Sequence, residues 1–227
     1  MRQSLCSMVL VSITATAQAS HPVDGVWILE RIVEETAAPL TPAGAAVQQA
    51  YDLLEDDPSL RCEPASMARV WGNPNSRTGI RVAADHVQLE HELFDLRRSI
   101  PGEASGRSGE TLNLAGTAFA TMGKATYRLD GERLIVTSSG LAAGFLRTGT
   151  GYPQGEGASA TETFWREGDH LLLELVYRDP ALFDGEYRIL HRLFATGETE
   201  VPVYECTDAD YDWFEQLNAE ATEGEQP

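Results

Sequence analysis

Short runs in which apolar and polar residues alternate dominate the chain from Gly79 onward. Residues 86–94 alternate cleanly, and the segments 126–137 and 163–177 each join two such runs through Asp-Gly or Gly-Asp. Alternation at a period of two residues is typical of strands with one buried face, and Asp-Gly supplies the positive φ angles of tight hairpin turns. The pattern predicts roughly eight to ten antiparallel strands, ending in a hairpin between 186–195 and 200–206.

Two segments have helical spacing instead. Thr41 and Pro42 form an N-cap and a first helical position, and apolar residues recur at helical spacing until Pro58. We expect one early helix over about 41–57 that packs on or plugs the sheet, and a short amphipathic helix over 208–220. Turn formers predict irregular structure over 58–78, and glycines predict flexible loops over 101–109 and 140–159.

The strand-rich pattern favours a mainly β fold. A sandwich and a closed meander both fit short strands joined by hairpins. Closure removes the unpaired edges that make strands associate, so we expect an antiparallel up-and-down β-barrel. The barrel would span 20–207 as one domain, followed by a C-terminal helix and acidic tail over 208–227.

The first residues have the features of an export signal. Arg2 is followed by an apolar stretch and then by Ala17-Gln18-Ala19, so residues 1–19 are expected to be a signal peptide cleaved before Ser20. The stretch is shorter than the ~20 apolar residues of a membrane span, and no later stretch is apolar enough to cross one. We therefore expect a soluble periplasmic or secreted protein without membrane insertion.

Net charge limits the classes of partner, and the cysteine count predicts a disulfide. The formal net charge of -18 disfavours binding to nucleic acid, and we expect a monomer. Outside the predicted signal peptide there are two cysteines, Cys62 and Cys206. An even count in an oxidising compartment predicts one disulfide between them.

Two sets of motifs resemble known families. Gly25-Val26-Trp27 on the first predicted strand resembles the opening Gly-x-Trp of the lipocalins and their calycin relatives, which implies that Trp27 packs across the bottom of a barrel. A broader set of motifs lies at 39–44, 56–64, 71–74, 130–136, 179–180 and 204–206, together with Met67 and Gly140. This set is similar to a family of exported bacterial proteins of uncharacterised function, and the resemblance implies export, the Cys62–Cys206 pair and one domain.

The inward faces of the predicted strands supply candidate site residues. His91 shares a face with aliphatic residues on its strand, as do Tyr177 on a second strand and both Tyr187 and His191 on a third. With Trp27, these residues would line the lumen of the barrel. An apolar cavity with a few polar groups is typical of small-molecule sites, so we predict binding of a small, mostly apolar ligand. The alternative is that both histidines are hydrogen-bonded core residues.

Two other functions remain open at this point. The barrel could be an enzyme that uses His91 or His191 as acid and base, or an interaction subunit with a packed interior whose loops at 101–109 and 141–159 bind a protein. No nucleophile elbow, phosphate loop or dinucleotide fingerprint occurs, so no cofactor is expected. The histidines lack further ligands at metal-binding spacing, so no metal is expected. Arg97 and Arg98 are expected to form salt bridges on the outside.

Overall fold

The computed structural model describes residues 20–204 and residue 206. The predicted signal peptide over 1–19 and the predicted C-terminal helix over 208–220 lie outside these residues. Within the described part, no helix is long and apolar enough to span a membrane.

Strands make up most of the described chain. They are β1 (Gly25–Thr36), β2 (Arg77–Val82), β3 (His86–His91), β4 (Leu96–Pro101), β5 (Gly109–Leu112), β6 (Lys124–Asp130), β7 (Arg133–Ser139), β8 (Gly144–Arg147), β9 (Tyr152–Gln154), β10 (Ser159–Glu167), β11 (His170–Arg178) and β12 (Glu186–Ala195). The helices are α1 (Pro42–Ala50), α2 (Leu53–Asp56) and α3 (Met67–Trp71).

Ten of these strands close into one barrel. Its order is β1 to β7, then β10, β11 and β12, which pairs with β1. Neighbours in the barrel follow the order of the chain, except that β8 and β9 form a separate two-stranded sheet. All neighbouring pairs are antiparallel. The predicted mainly β fold, an antiparallel up-and-down barrel, is confirmed.

Turn chemistry sets the register of the two strongest predicted hairpins. Asp130 pairs with Arg133 across a turn that contains Gly131, and Glu167 pairs with His170 across a turn that contains Gly168. Both glycines have a φ of 60°, a conformation that L-residues with a side chain rarely adopt. Both hairpins are therefore confirmed.

Barrel closure overturns the predicted final hairpin. β12 pairs with β11 on one side and with β1 on the other, so no edge of β12 is left for a further strand. Residues 200–204 consequently form no strand. The predicted strand over 86–94 also ends early, at His91, because Phe94 and Asp95 have positive φ and turn the chain into β4.

The predicted early helix is two helices. Thr41 caps α1 by accepting a hydrogen bond from the Gly44 amide (3.1 Å), as expected, but α1 ends at Ala50. Tyr51 is extended and packs against Phe145 at a ring distance of 4.5 Å, and Asp52 caps the next helix. These helices lie on the outside and do not plug the barrel, since the large apolar side chains Val47 and Leu53 remain exposed.

The barrel is plugged instead by α3, in a segment predicted to be irregular. Ser66 caps this helix, and its Met67, Ala68, Val70 and Trp71 are all buried. We call α3 the plug helix. Four buried residues in a helix of five show no helical periodicity, which explains why the sequence pattern missed it.

Two further segments complete the fold. Cys62 and Cys206 form the predicted disulfide, with their Cα atoms 5.9 Å apart, and it joins the chain just before the plug helix to the end of the described residues. Residues 140–159, predicted to be a flexible loop, contain β8 and β9, and the side chains of Leu146 and Tyr152 in this hairpin are buried.

Candidate functional site

All five residues predicted to line the lumen lie inside the barrel. Trp27, His91, Tyr177, Tyr187 and His191 are each at most 1% exposed. They are distributed along the barrel rather than gathered round one cavity, and each contributes to a different local arrangement.

Trp27 closes the end of the barrel at which β1 begins. Its indole N–H donates to the Val23 carbonyl (3.0 Å), and the Arg166 guanidinium lies 5.1 Å from the centre of its ring. These contacts saturate the polar edge of the ring and cover its face. Trp27 therefore has a structural role, which is to close this end of the barrel.

His91 lies against the plug helix. Its Nδ1 is 3.0 Å from the Thr78 hydroxyl oxygen, and its ring meets the Trp71 ring edge-on at 4.8 Å. Burial, followed by the charges of Arg98 and Arg97, lowers the pKa of His91 well below its usual value. His91 is therefore a neutral core residue at physiological pH.

A buried ion pair, which the sequence pattern did not lead us to expect, lies beside His91. Arg98, expected to point outward, faces inward and pairs with Glu162 through Nη1–Oε1 (2.9 Å) and Nη2–Oε2 (2.8 Å). The two side chains are 1% and 0% exposed. Trp71 donates its indole N–H to the same carboxylate, and Ser138 accepts from Arg98. Alternation could have revealed the pair, because Arg98 shares a face with the apolar Leu96 and Ile100.

Tyr177 fastens the plug helix to the barrel wall. Its hydroxyl accepts a hydrogen bond from the Ala68 amide (3.3 Å) at the start of α3. Burial, together with the nearby Glu162, raises the pKa of Tyr177. The phenol stays neutral, and its contacts are with the protein's own helix.

Tyr187 belongs to a polar cluster at the opposite end of the barrel from Trp27. Its hydroxyl donates to Glu35 at the end of β1 and accepts from Nε of Arg147 on β8 (2.9 Å). Arg147 also binds both oxygens of Glu35, through Nε–Oε1 (2.9 Å) and Nη2–Oε2 (2.6 Å). We call Glu35, Arg147 and Tyr187 the rim cluster, because it ties the β8–β9 hairpin to the rim of the barrel.

The rim cluster sets the charge state of its members. Burial disfavours the ionised Glu35, but the hydrogen bonds from Tyr187 and Arg147 outweigh it and lower the pKa of this carboxyl. Burial, followed by the hydrogen bond to Glu35, raises the pKa of Tyr187. Glu35 is therefore an anion paired with the Arg147 cation, and Tyr187 is a neutral donor.

His191 follows Tyr187 on β12 with its side chain on the same inward face. Burial, followed by the charge of Arg147, lowers the pKa of His191 to about 4. The ring is neutral near pH 7. It lies in the core and is shielded from solvent.

The rim cluster forms one wall of a cleft of about 550 Å³, which we call the mouth cleft. The groups of chemical interest that line it are Glu35, Arg69, Gly72, Arg147, Tyr152 and Tyr187. The rings of Tyr152 and Tyr187 lie 4.9 Å apart, and Tyr152 donates to the Ala38 carbonyl (2.6 Å). The cleft thus combines two guanidinium groups, one carboxylate and an aromatic wall.

Only Tyr187 among the five predicted site residues lines the mouth cleft. Glu35, Arg69 and Arg147 were missed, because they lie on a strand end, on the plug helix and in a glycine-rich segment without a shared motif. Within residues 20–204 and 206, no group of three or more His, Cys, Asp or Glu is arranged to hold a metal ion.

Comparisons with known proteins show structural likeness alone. No family model and no curated protein sequence matches the chain. A secretory abundant heat soluble protein from Ramazzottius varieornatus is similar in structure, with 12% identity, a TM-score of 0.38, and coverage of 78% of this chain and 98% of that one. A mutant of the fluorescent protein UnaG has 11% identity, the same TM-score of 0.38, and coverage of 78% and 98%. At this level of similarity neither structure indicates what this chain binds.

Proposed function

We propose that this protein is a binding protein for a small molecule and that its ligand site is the mouth cleft. One observation carries the proposal: charged and aromatic side chains from β1, β8, β12 and the plug helix converge on a cleft of about 550 Å³. Sites for small molecules are concave, commonly between 300 and 1,000 Å³, and place a few polar groups in a mostly apolar wall. The mouth cleft has this size and composition.

The lumen is a poorer site than the mouth cleft. An apolar ligand there would have to displace the plug helix and break the hydrogen bonds from Trp71 to Glu162 and from Ala68 to Tyr177. A buried carboxylate that loses a donor is strongly destabilised, so this displacement is unfavourable. Catalysis by His91 or His191 is also disfavoured, since both rings are fully buried.

A packed interior also fits an interaction subunit, the other function that the sequence left open. If the protein binds a small molecule, that molecule should occupy the mouth cleft, whereas an interaction subunit has no need of a small ligand there. Gly149 lines this cleft and has no positive φ, and a Cβ added there would meet no atom within 4 Å. A side chain can therefore begin at this position without a clash, and Gly149→Trp should obstruct the cleft.

The test is a ligand-observed NMR screen of a fragment library against wild type and Gly149→Trp. Ala115→Trp, in an exposed turn, is the matched control. Hits that bind wild type and Ala115→Trp but not Gly149→Trp would support the proposal. A screen without hits, or with hits that Gly149→Trp still binds, would overturn it. Native mass spectrometry of protein from its own host would then identify the resident ligand.

We further infer that the barrel acts outside the cytoplasm, as a monomer and without a nucleic-acid partner. The Cys62–Cys206 disulfide supports export, because such bonds persist in oxidising compartments. Intact mass of protein isolated from its own host should correspond to a chain that begins at Ser20. A protein that retains Met1 or Arg2 would contradict cleavage of the signal peptide.

A further inference from the structure

We propose that the mouth cleft recognises the carboxylate of a small organic acid, with Arg69 and Nη1 of Arg147 as the groups that bind it. This inference rests on the proposed function and names the class of ligand for the same site. It follows from three features of the cleft: unused donors, the room around them and the local charge.

The first unused donor group is the guanidinium of Arg69. Among the contacts of the described residues, the only hydrogen bond of Arg69 outside the helix ladder is that of its backbone amide to Ser66 (3.2 Å). The other four residues of α3 are buried, so the helix is held in the barrel and Arg69 is carried to the rim. A cation on a fixed helix is thus presented to the cleft without a carboxylate partner.

The second unused donor group is one arm of Arg147. Its Nε and Nη2 are occupied by Glu35 and Tyr187, while Nη1 has no partner within the described part of the chain. Gly72 leaves room beside this arm, since a Cβ at position 72 would lie 3.2 Å from Nη1. Glu35 and Tyr187 therefore orient Arg147 without using up its donors.

Local charge makes an anion the best match. The cleft contains the cations Arg69 and Arg147 and the anion Glu35, whereas the whole chain has a net charge of -18. An acidic protein repels anions over most of its surface, so a site with excess positive charge is a selective place for one. Guanidinium groups bind carboxylates through paired, charge-assisted hydrogen bonds, which are stronger than neutral ones.

The aromatic wall specifies the rest of the ligand. Tyr152 and Tyr187 line the cleft beside the two guanidinium groups and are 8% and 1% exposed, so a ligand reaches a small part of each ring. Aromatic rings pack well against flat apolar groups and against other rings. We therefore expect an acid with a compact apolar or aromatic body that fits within about 550 Å³.

Matched acids and amides test the inference. Benzoate with benzamide, phenylacetate with phenylacetamide, and indole-3-acetate with indole-3-acetamide are titrated by calorimetry or ligand-observed NMR. Each pair keeps its shape and differs in charge. We expect the acids to bind about tenfold or more tightly than the amides, as for hydrogen bonds to charged groups.

Variants assign the effect to Arg69. Arg69→Gln should weaken binding of the acids by about tenfold or more and leave the amides nearly unchanged. Arg31→Gln is the control, because Arg31 is exposed on β1 and does not line the mouth cleft. This substitution removes the same positive charge as Arg69→Gln. Arg69→Lys should restore part of the affinity, since it keeps the charge and loses the paired geometry.

The possible results separate the two proposals. Amides that bind as tightly as acids, or acid affinity that Arg69→Gln and Arg31→Gln change equally, would overturn the carboxylate assignment and leave the mouth cleft as a binding site. Absence of binding by every acid and every amide at millimolar concentration would overturn the carboxylate assignment, and the fragment screen with Gly149→Trp would decide the proposed function separately.

Discussion

Trp71 donates its indole N–H to Oε1 of Glu162 across 2.7 Å inside the barrel. This bond joins the plug helix to β10, and the same carboxylate is paired with Arg98 of β4. The plug helix is therefore held by a buried polar network as well as by apolar contacts. Within this network Nε of Arg98 has no hydrogen-bond partner among the described residues, so the bonds that are present are the ones that fix the plug helix.

Removal of the indole donor should destabilise the fold. Trp71→Phe keeps an aromatic ring but leaves Glu162 without this N–H, so we expect a loss of about 1.5–3 kcal/mol in the free energy of unfolding. Urea denaturation measures it. Trp165→Phe is the control, because Trp165 lies on the same strand as Glu162 and is only partly buried. Equal losses for the two variants would show that the hydrogen bond adds nothing.

Loss of Arg98 should be more severe. Arg98→Met leaves the Glu162 carboxylate buried without its cation, which typically costs about 3–5 kcal/mol. The double variant Arg98→Met with Glu162→Gln removes the buried charge and keeps an acceptor for Trp71, so it should be more stable than Arg98→Met alone. Urea denaturation of the three proteins checks this order. Strictly additive losses would contradict it.

Acid should destabilise the barrel through His191. Its pKa is about 4 in the folded protein and about 6.5 when unfolded, so the unfolded state binds more protons between these values. The stability is full above pH 6.5 and falls as the pH decreases towards 4, by up to about 3 kcal/mol from this residue. His91, whose pKa is also lowered, acts in the same direction.

Unfolding free energies at pH 7, 6, 5 and 4.5 test this dependence. His191→Gln should have a shallower fall than wild type, while the remaining slope reflects His91 and, near pH 4.5, carboxyl groups with a lowered pKa such as Glu35. His86→Asn serves as the control because His86 lies on the surface and pairs with Asp85. A slope in His191→Gln equal to that of wild type would show that His191 does not contribute.

The disulfide should stabilise the fold by restricting the unfolded chain. Cys62 and Cys206 are 144 residues apart, and the chain-entropy model gives about 5 kcal/mol for a loop of this length. Cys62→Ser with Cys206→Ser should therefore unfold at lower urea concentration than wild type. Wild type in excess reductant should match this double variant, and a difference between them would point to an effect of the serines themselves.

Local sequence pattern predicted much of the wall of the barrel. Alternation on β3, β11 and β12 placed His91, Tyr177 and His191 on inward faces, because successive side chains of a strand point to opposite sides. The same reasoning, applied to β4, would have placed Arg98 inside. Alternation and periodicity could not predict the plug helix, because its five residues are stabilised by contacts with distant strands and by the Ser66 cap.

The amino-acid sequence by itself determined the strand-rich pattern, the two tight hairpins, the cysteine pair and the inward faces of β3, β11 and β12. These are properties of neighbouring residues and of composition. Only the tertiary structure decided that the plug helix lies buried against the inner wall of the barrel and that Glu35, Arg147 and Tyr187 meet at the rim. Glu35 and Tyr187 are separated by 152 positions, and only closure of β12 onto β1 brings them into contact.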